Sequence, residues 1–263
     1  MFSEVVGGHR FIIGGQIKKF RVGSLFAGIG GFDLGLQWAG MEIVWQVEIN
    51  EYCRRVLAKH WPTVRRYEDI KQCGAHNLEP VDLICGGFPC QPFSTAGKRR
   101  GIEDDRHLWP EMLRVIQECR PNWIICENVI GFDGMGLDSI ISDLETAGYE
   151  VAPPFEISAA SVGLQTMEWH VWITAKADEQ RCARSEENKD SHVGKKGEFQ
   201  GDDTGMHIGR NISETRFCRV AERVSGRMDR HQRDRLKALG NAVPPQVVEV
   251  IGRAILEINS KEK

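Results

Sequence analysis

The chain has 263 residues, of which 41% are hydrophobic, and a formal net charge of −3. This length supports one substantial core with a small appended region, and the near balance of charge excludes a basic footprint spread over the whole chain. No apolar run reaches the ~18 residues of a transmembrane helix, and the N-terminus lacks the features of a signal peptide. We therefore expect a cytoplasmic protein without a membrane partner.

The first elements in chain order are a strand, a glycine-rich turn and a helix. Residues 20–40, FRVGSLFAGIGGFDLGLQWAG, begin with a short apolar run, turn at 27–31 and continue toward Gly40, which is typical of a helix stop. A second strand is predicted over 41–49. A helix over 50–61 follows, capped by Asn50.

Two later apolar runs, 81–87 and 122–128, end in glycine or polar residues, as buried parallel strands do. Helical periodicity over 108–120 and 137–148 places helices after them. Strands that alternate with helices predict an α/β fold with a doubly wound, mostly parallel sheet. Because ligands of such sheets bind beyond the carboxyl ends of the strands, we expect the glycine turn, Cys90 and Glu127 on one edge.

The last third of the chain changes character. Residues 176–215 are polar and glycine-rich, which predicts a loop-rich segment, and apolar spacing returns over 235–258. Pro244 and Pro245 suit the first turn of a C-terminal helix. We divide the chain into a catalytic and cofactor-binding domain (1–175), a short target recognition region (176–235) and a returning C-terminal segment (236–263).

Cysteines and acids supply the first candidate functional groups. The chain has eight cysteines and no C-x-x-C pair, which argues against a zinc ribbon, and Cys85 and Cys126 in apolar runs are expected to be reduced core residues. Glu48, at the end of the second strand, is placed to bind ribose hydroxyls, and Asp69 follows a third strand. The alternatives are a surface acid near a helix start for Glu48 and a core role for Phe26.

Four segments together resemble the C5-cytosine DNA methyltransferase family. SLFAGIGGFDLGLQWAG (24–40) resembles its S-adenosylmethionine loop, and GGFPCQPFSTAGKRRGIEDDR (86–106) resembles its nucleophile loop. ENV (127–129) resembles its catalytic acid motif. RLKALGNAVPPQVVEVIGRAI (235–255) resembles the C-terminal motif that completes the cofactor pocket. The two glycines at 86 and 87, before Cys90, are expected to turn the chain sharply.

The resemblance implies a class I methyltransferase fold that uses S-adenosylmethionine, releases S-adenosylhomocysteine and needs no metal. It implies that Cys90 adds covalently to C6 of a cytosine flipped out of double-stranded DNA, while Glu127 holds or protonates N3. The implied cofactor-pocket residues are Phe26, Gly28, Gly30, Glu48, Asp69, Pro89 and Asn241. The implied DNA contacts are Gln91, Ser94, Lys98, Arg99 and Arg100.

One motif departs from the family pattern. The family places Q-x-R-x-R on a strand after ENV, and the three motif positions fall here on Thr166, Glu168 and His170, so both arginines are missing. His170 is predicted to take over part of the second arginine's role as a catalytic residue, although its charge depends on pH. Glu168, if close, would repel the carboxylate of Glu127. The alternative is a merely structural strand with weakened activity.

The interval that houses target recognition in the family is short here. It carries eight arginines between 210 and 235, suited to phosphates and in part to guanine edges. We expect a short target sequence, relaxed specificity or dependence on another protein, and a monomer. Cytosine methylation in RNA and DNA binding without turnover stay open as alternatives. Host defence, phage counter-defence and an orphan regulatory role also stay open.

Overall fold

The computed structural model describes residues 11–13, 16–89, 108–129, 134–158, 161, 169–178 and 230–261. Two short strands, β1 (Phe11–Ile13) and β2 (Gln16–Lys18), pair as an antiparallel hairpin. The strands of the main sheet are β3 (Arg21–Leu25), β4 (Glu42–Val47), β5 (Arg65–Tyr67), β6 (Leu83–Gly87), β7 (Trp123–Val129), β8 (Tyr149–Val151), β9 (Phe155–Ser158) and β10 (Trp169–Ala177).

Helices connect these strands and follow them. They are α1 (Gly31–Trp38), α2 (Glu51–His60), α3 (Trp109–Cys119), α4 (Gly134–Thr146), α5 (Arg230–Gly240) and α6 (Pro245–Lys261). The predicted cap of α2 is confirmed, because Asn50 Oδ1 accepts a hydrogen bond from the Cys53 amide at 3.2 Å. Gly40, with φ of 100°, follows the end of α1, and Pro245 is the first residue of α6, both as predicted. Among the helices of the described ranges, none combines the length and the hydropathy that crossing a membrane requires.

The main sheet runs in the order β5-β4-β3-β6-β7-β10-β8, with β9 also paired to β10, so that the described residues supply eight strands. The five strands from β5 to β7 are parallel, whereas β10 is antiparallel to β7 and to β8 and β9. The predicted doubly wound, mostly parallel sheet is confirmed. The antiparallel direction of β10 was not predicted, because an apolar run carries no information on strand direction.

Apolar side chains fill both faces of the sheet, which is what double winding requires. On one face, Leu25, Ile84 and Ile124 pack with Met112 of α3 and Leu144 of α4. On the other face, a second cluster joins the sheet to α1 and α6. Its members include Val22, Leu36, Cys85, Ile125, Trp172, Val248 and Ile251.

The C-terminal segment lies directly against α1. A Cβ added at Gly31 would stand 2.5 Å from the carbonyl oxygen of Val243, and one at Gly35 would meet the carbonyl oxygen of Pro245. Only glycine permits so close an approach of backbone to helix. The segment that begins with Val243 therefore packs beside the helix that follows the glycine-rich turn.

Candidate active site

Parallel pairing brings five strand ends to one edge of the sheet. The glycine-rich turn follows β3, Glu48 follows β4, Asp69 follows β5, Pro89 follows β6, and Glu127 lies two residues before the end of β7. Since β10 runs the opposite way, its first residues meet this same edge. The fold thus gathers the candidate groups that the sequence placed on separate elements.

The turn after β3 has a backbone that glycine favours. Positive φ angles occur at Phe26 (52°), Gly28 (56°) and Gly30 (92°), and the Gly30 amide donates to the Ala27 carbonyl at 2.8 Å. A Cβ at Gly30 would also stand 2.5 Å from the Trp61 ring. The turn is therefore fixed in a form that brings bare backbone to the edge of the sheet.

The Glu48 carboxylate bridges this turn and the start of α2. Its Oε2 accepts from the Gly28 amide at 2.7 Å, and its Oε1 accepts from the Asn50 amide at 2.7 Å. Glu48 is largely buried, so a surface role is excluded. Each carboxylate oxygen retains a further lone pair, which suits it to accept from the hydroxyls of a ribose.

Asp69 and Ile49 also lie at the strand ends of this part of the edge. Asp69 is half-buried and caps a short 3-10 turn, Ile70–Gln72, through a 3.0 Å bond from the Lys71 amide to Oδ1. Asn241 is exposed just beyond α5. Ile49, between Glu48 and Asn50, is 73% exposed and is a further candidate for a binding site at this edge, which we did not predict from the sequence. An apolar residue directly after an acid at a strand end was the available signal.

Gly86 and Gly87 do not turn the chain, contrary to our expectation. Both lie inside β6 and continue its ladder, paired with Cys126 and Glu127 of β7. Both positions require glycine because neighbouring atoms lie too close for a Cβ. A Cβ at Gly86 would stand 2.8 Å from the Leu25 carbonyl oxygen, and one at Gly87 would stand 2.5 Å from Glu127 Oε2.

A buried acid–imidazole pair lies at this edge. Glu127 Oε1 and His170 Nδ1 are 2.6 Å apart, and both side chains are buried. An ionised carboxylate only accepts hydrogen bonds, so whenever Glu127 is ionised the donor of this bond is Nδ1–H of His170. The next residue, Asn128, donates from Nδ2 to the Phe88 carbonyl at 3.5 Å and ties β7 to the end of β6. The structure thus brings His170 against Glu127, while the catalytic role of His170 stays a prediction.

The thiols in the described part of the chain are not activated. Burial raises the pKa of Cys85 and Cys126 well above the ordinary thiol range, and it raises those of Cys53, Cys73 and Cys119 to about 11. A thiol acts as a nucleophile only as thiolate, so these side chains are inert. Cys85 and Cys126 are free and buried, as the sequence predicted.

A buried carboxyl that the sequence did not reveal lies beneath the glycine-rich turn. Asp33 of α1 is fully buried, and its two oxygens accept from Ser24 Oγ at 3.1 Å and Gln46 Nε2 at 2.8 Å. Ser24 and Gln46 lie side by side on β3 and β4. Burial raises the pKa of Asp33 from 3.8 to about 6, although both hydrogen bonds act to lower it.

Several candidate residues lie outside the described residues, and their roles stay predictions. They are Cys90, Gln91, Ser94, Lys98, Arg99, Arg100, Thr166 and Glu168. The same holds for most of the predicted target recognition region.

Comparison with known proteins matches this chain to methyltransferases. It is 41% identical over 141 residues to Type II methyltransferase M.PspPI of a Psychrobacter strain, covering 51% of this chain and 34% of that protein. It is 38% identical over 141 residues to M.HgiCII of Herpetosiphon aurantiacus, covering 51% and 32%. M.HpaII of Haemophilus parainfluenzae matches at 34% over 164 residues, covering 59% and 46%. The chain thus spans 32% to 46% of the length of these curated relatives.

Solved structures share the fold. A prophage-encoded candidate DNA modification methyltransferase of E. coli superposes with a TM-score of 0.53 at 26% identity, covering 60% of this chain and 47% of that one. A mutant DNMT2 of Spodoptera frugiperda gives 0.53 at 24% identity, covering 61% and 51%, which bears on fold alone. The profile of the C-5 cytosine-specific DNA methylase family matches residues 20–164, more than half of the chain. The chain therefore belongs to the C-5 cytosine-specific DNA methylase family.

Proposed function

We propose that this chain transfers a methyl group from S-adenosylmethionine to C5 of a cytosine flipped out of double-stranded DNA, through a covalent adduct with Cys90. Family membership supports the reaction class. The observation that carries the proposal is the buried Glu127–His170 pair, which shares one sheet edge with the glycine-rich turn and Glu48. An acid held in this way beside a cofactor-type turn suits chemistry on a heterocyclic base.

The residues at the edge fit S-adenosylmethionine, which when bound supplies an electrophilic methyl group. The turn at Phe26, Gly28 and Gly30 offers backbone, and Glu48 offers lone pairs for ribose hydroxyls. Ile49 offers an apolar face for an adenine ring, and Asp69 an acceptor for its amino group. Pro89 and Asn241 are proposed to line the same pocket, as the family motifs imply.

The proposed role of Cys90 is covalent catalysis. Its thiolate adds to C6 of cytosine and makes C5 nucleophilic, and C5 then accepts the methyl group. Loss of the C5 proton and departure of the thiolate restore the aromatic ring and free Cys90. The base has to leave the duplex, because neither face of a stacked ring is open to attack.

The proposed role of Glu127 is to donate a hydrogen bond or a proton to N3. Since N3 is an acceptor, the Glu127 oxygen that faces it must carry the proton. The geometry divides the two oxygens, with Oε1 on His170 Nδ1 and Oε2 in the space that Gly87 leaves open. His170 is proposed to donate from Nδ1 to Oε1, so that Oε2 is the oxygen that carries the proton and donates it to N3.

We further propose that Lys98, Arg99 and Arg100 contact phosphates and that Gln91 and Ser94 contact DNA near the extruded base. The relatives are named Type II methyltransferases, which supports a role in a restriction–modification system. One structural neighbour is encoded in a prophage, so a phage role stays an alternative.

Bisulfite sequencing of DNA from cells that express this chain tests the proposal, with Cys90→Ala as the control. We expect protected cytosines in a fixed sequence context for the wild-type chain and none for the variant. A duplex that contains 5-fluorocytosine should form a denaturation-resistant adduct with the wild-type chain alone. If neither protected cytosines nor the adduct were found, the proposed reaction would be wrong, and DNA binding without turnover would remain as the alternative.

A competition assay separates DNA from RNA as the substrate. With labelled cofactor and equal amounts of duplex DNA and tRNA, we expect label in the DNA. Label confined to tRNA would replace the proposed substrate while leaving the proposed chemistry at C5 in place.

A further inference from the structure

Arg54 of α2 contacts both loops that carry the proposed adenosine-binding acids. Its Nη1 donates to the carbonyl oxygens of Glu48 and Ile49, at 3.1 Å and 2.6 Å. Its Nη2 forms an ion pair with Glu68 Oε1 at 3.3 Å, and Glu68 directly precedes Asp69. One guanidinium therefore spans the end of β4 and the segment after β5.

The contacts of Arg54 complete the fixing of the backbone that follows β4. The carboxylate of Glu48 holds the amides of Gly28 and Asn50, and the side chain of Asn50 holds the amide of Cys53. Arg54 donates to the carbonyl oxygens of Glu48 and Ile49, which do not take part in these contacts. A planar guanidinium offers several donors in a fixed geometry, which a lysine ammonium does not.

The neighbouring arginine provides a contrast. Arg55 is 66% exposed and its one ion pair in the described part of the chain, with Glu51, lies within α2. The Arg54 side chain is only 18% exposed, and although its partner Glu68 is 74% exposed, Arg54 also donates to two backbone carbonyls. An exposed pair one turn apart in a helix contributes little. The two adjacent arginines thus have different partners: Arg54 connects α2 to the segments after β4 and β5, whereas Arg55 contacts only its own helix in the bonds between described residues.

We propose that Arg54 is a positioning residue for the adenosine end of the cofactor pocket. It holds the Glu48–Ile49 backbone and the segment of Glu68 and Asp69 in one arrangement, so that both acids and the apolar side chain of Ile49 meet the same nucleoside. This inference rests on the proposed function, since it assigns a residue to the site proposed for S-adenosylmethionine.

The test measures S-adenosylhomocysteine affinity by calorimetry for the full chain and for Arg54→Gln, Arg54→Lys and Arg55→Gln. Hydrogen bonds to a charged group are strong enough that Arg54→Gln should weaken binding at least about tenfold. Arg54→Lys should fall between Arg54→Gln and wild type. Arg55→Gln should bind as the wild type does. Duplex DNA affinity and the thermal midpoint without ligand are measured for all four proteins.

A loss of S-adenosylhomocysteine affinity in Arg54→Gln, with DNA affinity retained and a thermal midpoint near that of Arg55→Gln, supports the assignment. Unchanged affinity, or a loss shared equally by the two ligands, overturns it. Should Arg54→Gln fail to fold, a folded Arg54→Lys decides, because wild-type affinity in that variant also overturns it. If the wild-type chain binds no S-adenosylhomocysteine, the proposed function itself fails.

Discussion

The two sides of the sheet edge hold their candidate functional carboxylates in different ways. On the side proposed to bind the cofactor, called the cofactor side (β3, β4 and β5 with α1 and α2), Glu48 and Asp69 are bound by backbone amides. On the side proposed for catalysis, called the catalytic side (β6, β7 and β10), Glu127 is bound by the side chain of His170. Backbone amides persist through substitution of their own residues, whereas a side-chain partner changes with the sequence. His170, where the chain departs from the family pattern, is a side-chain partner of this second kind.

Among the variants that distinguish the two sides, Glu127→Gln should cause the largest loss of kcat. The amide keeps the shape but cannot deliver a proton to N3, so kcat should fall about 10²- to 10⁴-fold, the usual range for a general acid. Affinity for S-adenosylhomocysteine should stay at the wild-type value. Glu150→Gln, at an exposed position on β8, is the control for the loss of one acid. A variant that lost cofactor affinity and kept kcat would contradict the division.

His170→Ala should lower kcat by roughly 10- to 100-fold, because it leaves the buried Glu127 carboxylate without the imidazole donor. The variant should again bind S-adenosylhomocysteine normally. His170→Arg, which supplies a cation at every pH, should recover part of the rate. The rates are measured as a function of pH with saturating cofactor.

The pH profiles sharpen this prediction. Because the charge of an imidazole depends on pH and that of a guanidinium does not, the rate of His170→Arg should vary less with pH than the rate of the wild-type chain. Equal rates for wild type and His170→Ala would show that the strand is merely structural.

Gly87→Ala should have a smaller effect on the same side. Its new Cβ would stand 2.5 Å from Glu127 Oε2, and the carboxylate has to move away from the position proposed to face N3. We expect roughly a tenfold loss of kcat, since misplacing one catalytic group costs positioning and leaves the chemistry available. Gly74→Ala is the matched control, because a Cβ there would also meet a carboxylate oxygen, that of Glu118, which belongs to no proposed site. Similar losses of kcat in the two variants would refute a specific effect on Glu127.

On the proposed cofactor side, the sequence predicted the turn after β3, the end of β4 and the cap at Asn50. Turn, strand end, capping residue and acid follow one another within residues 24–50, and local order fixes their geometry. The pairing of Glu127 with His170 spans 43 positions and depends on an antiparallel strand whose direction carries no local signal. The role of Gly87 was also hidden, because a glycine that makes room for a distant side chain looks the same in sequence as one that turns.

Asp33 was missed for a related reason, since an acid in the first turn of a helix usually faces solvent. Burial raises its folded pKa from 3.8 to about 6, so the folded state binds the proton more tightly than the unfolded state does. Its contribution to stability is therefore complete below pH 3.8 and is lost as pH rises through 6. Between pH 5 and pH 7 this group alone should lower the free energy of unfolding by about 1 kcal/mol.

Asp33→Asn should remove that pH dependence and leave the catalytic side unaffected. The introduced amide is neutral, and its NH₂ group gives a donor to the buried Gln46 Oε1, which has no hydrogen-bond partner among the described residues. The free energy of unfolding of the variant, measured in urea, should rise relative to wild type by about 1 kcal/mol from pH 5 to pH 7. Ser24→Ala, which removes one donor and keeps the carboxyl, should retain the pH dependence. A constant difference between Asp33→Asn and wild type over this range would mean that Asp33 titrates elsewhere and that the cofactor side holds no buried proton.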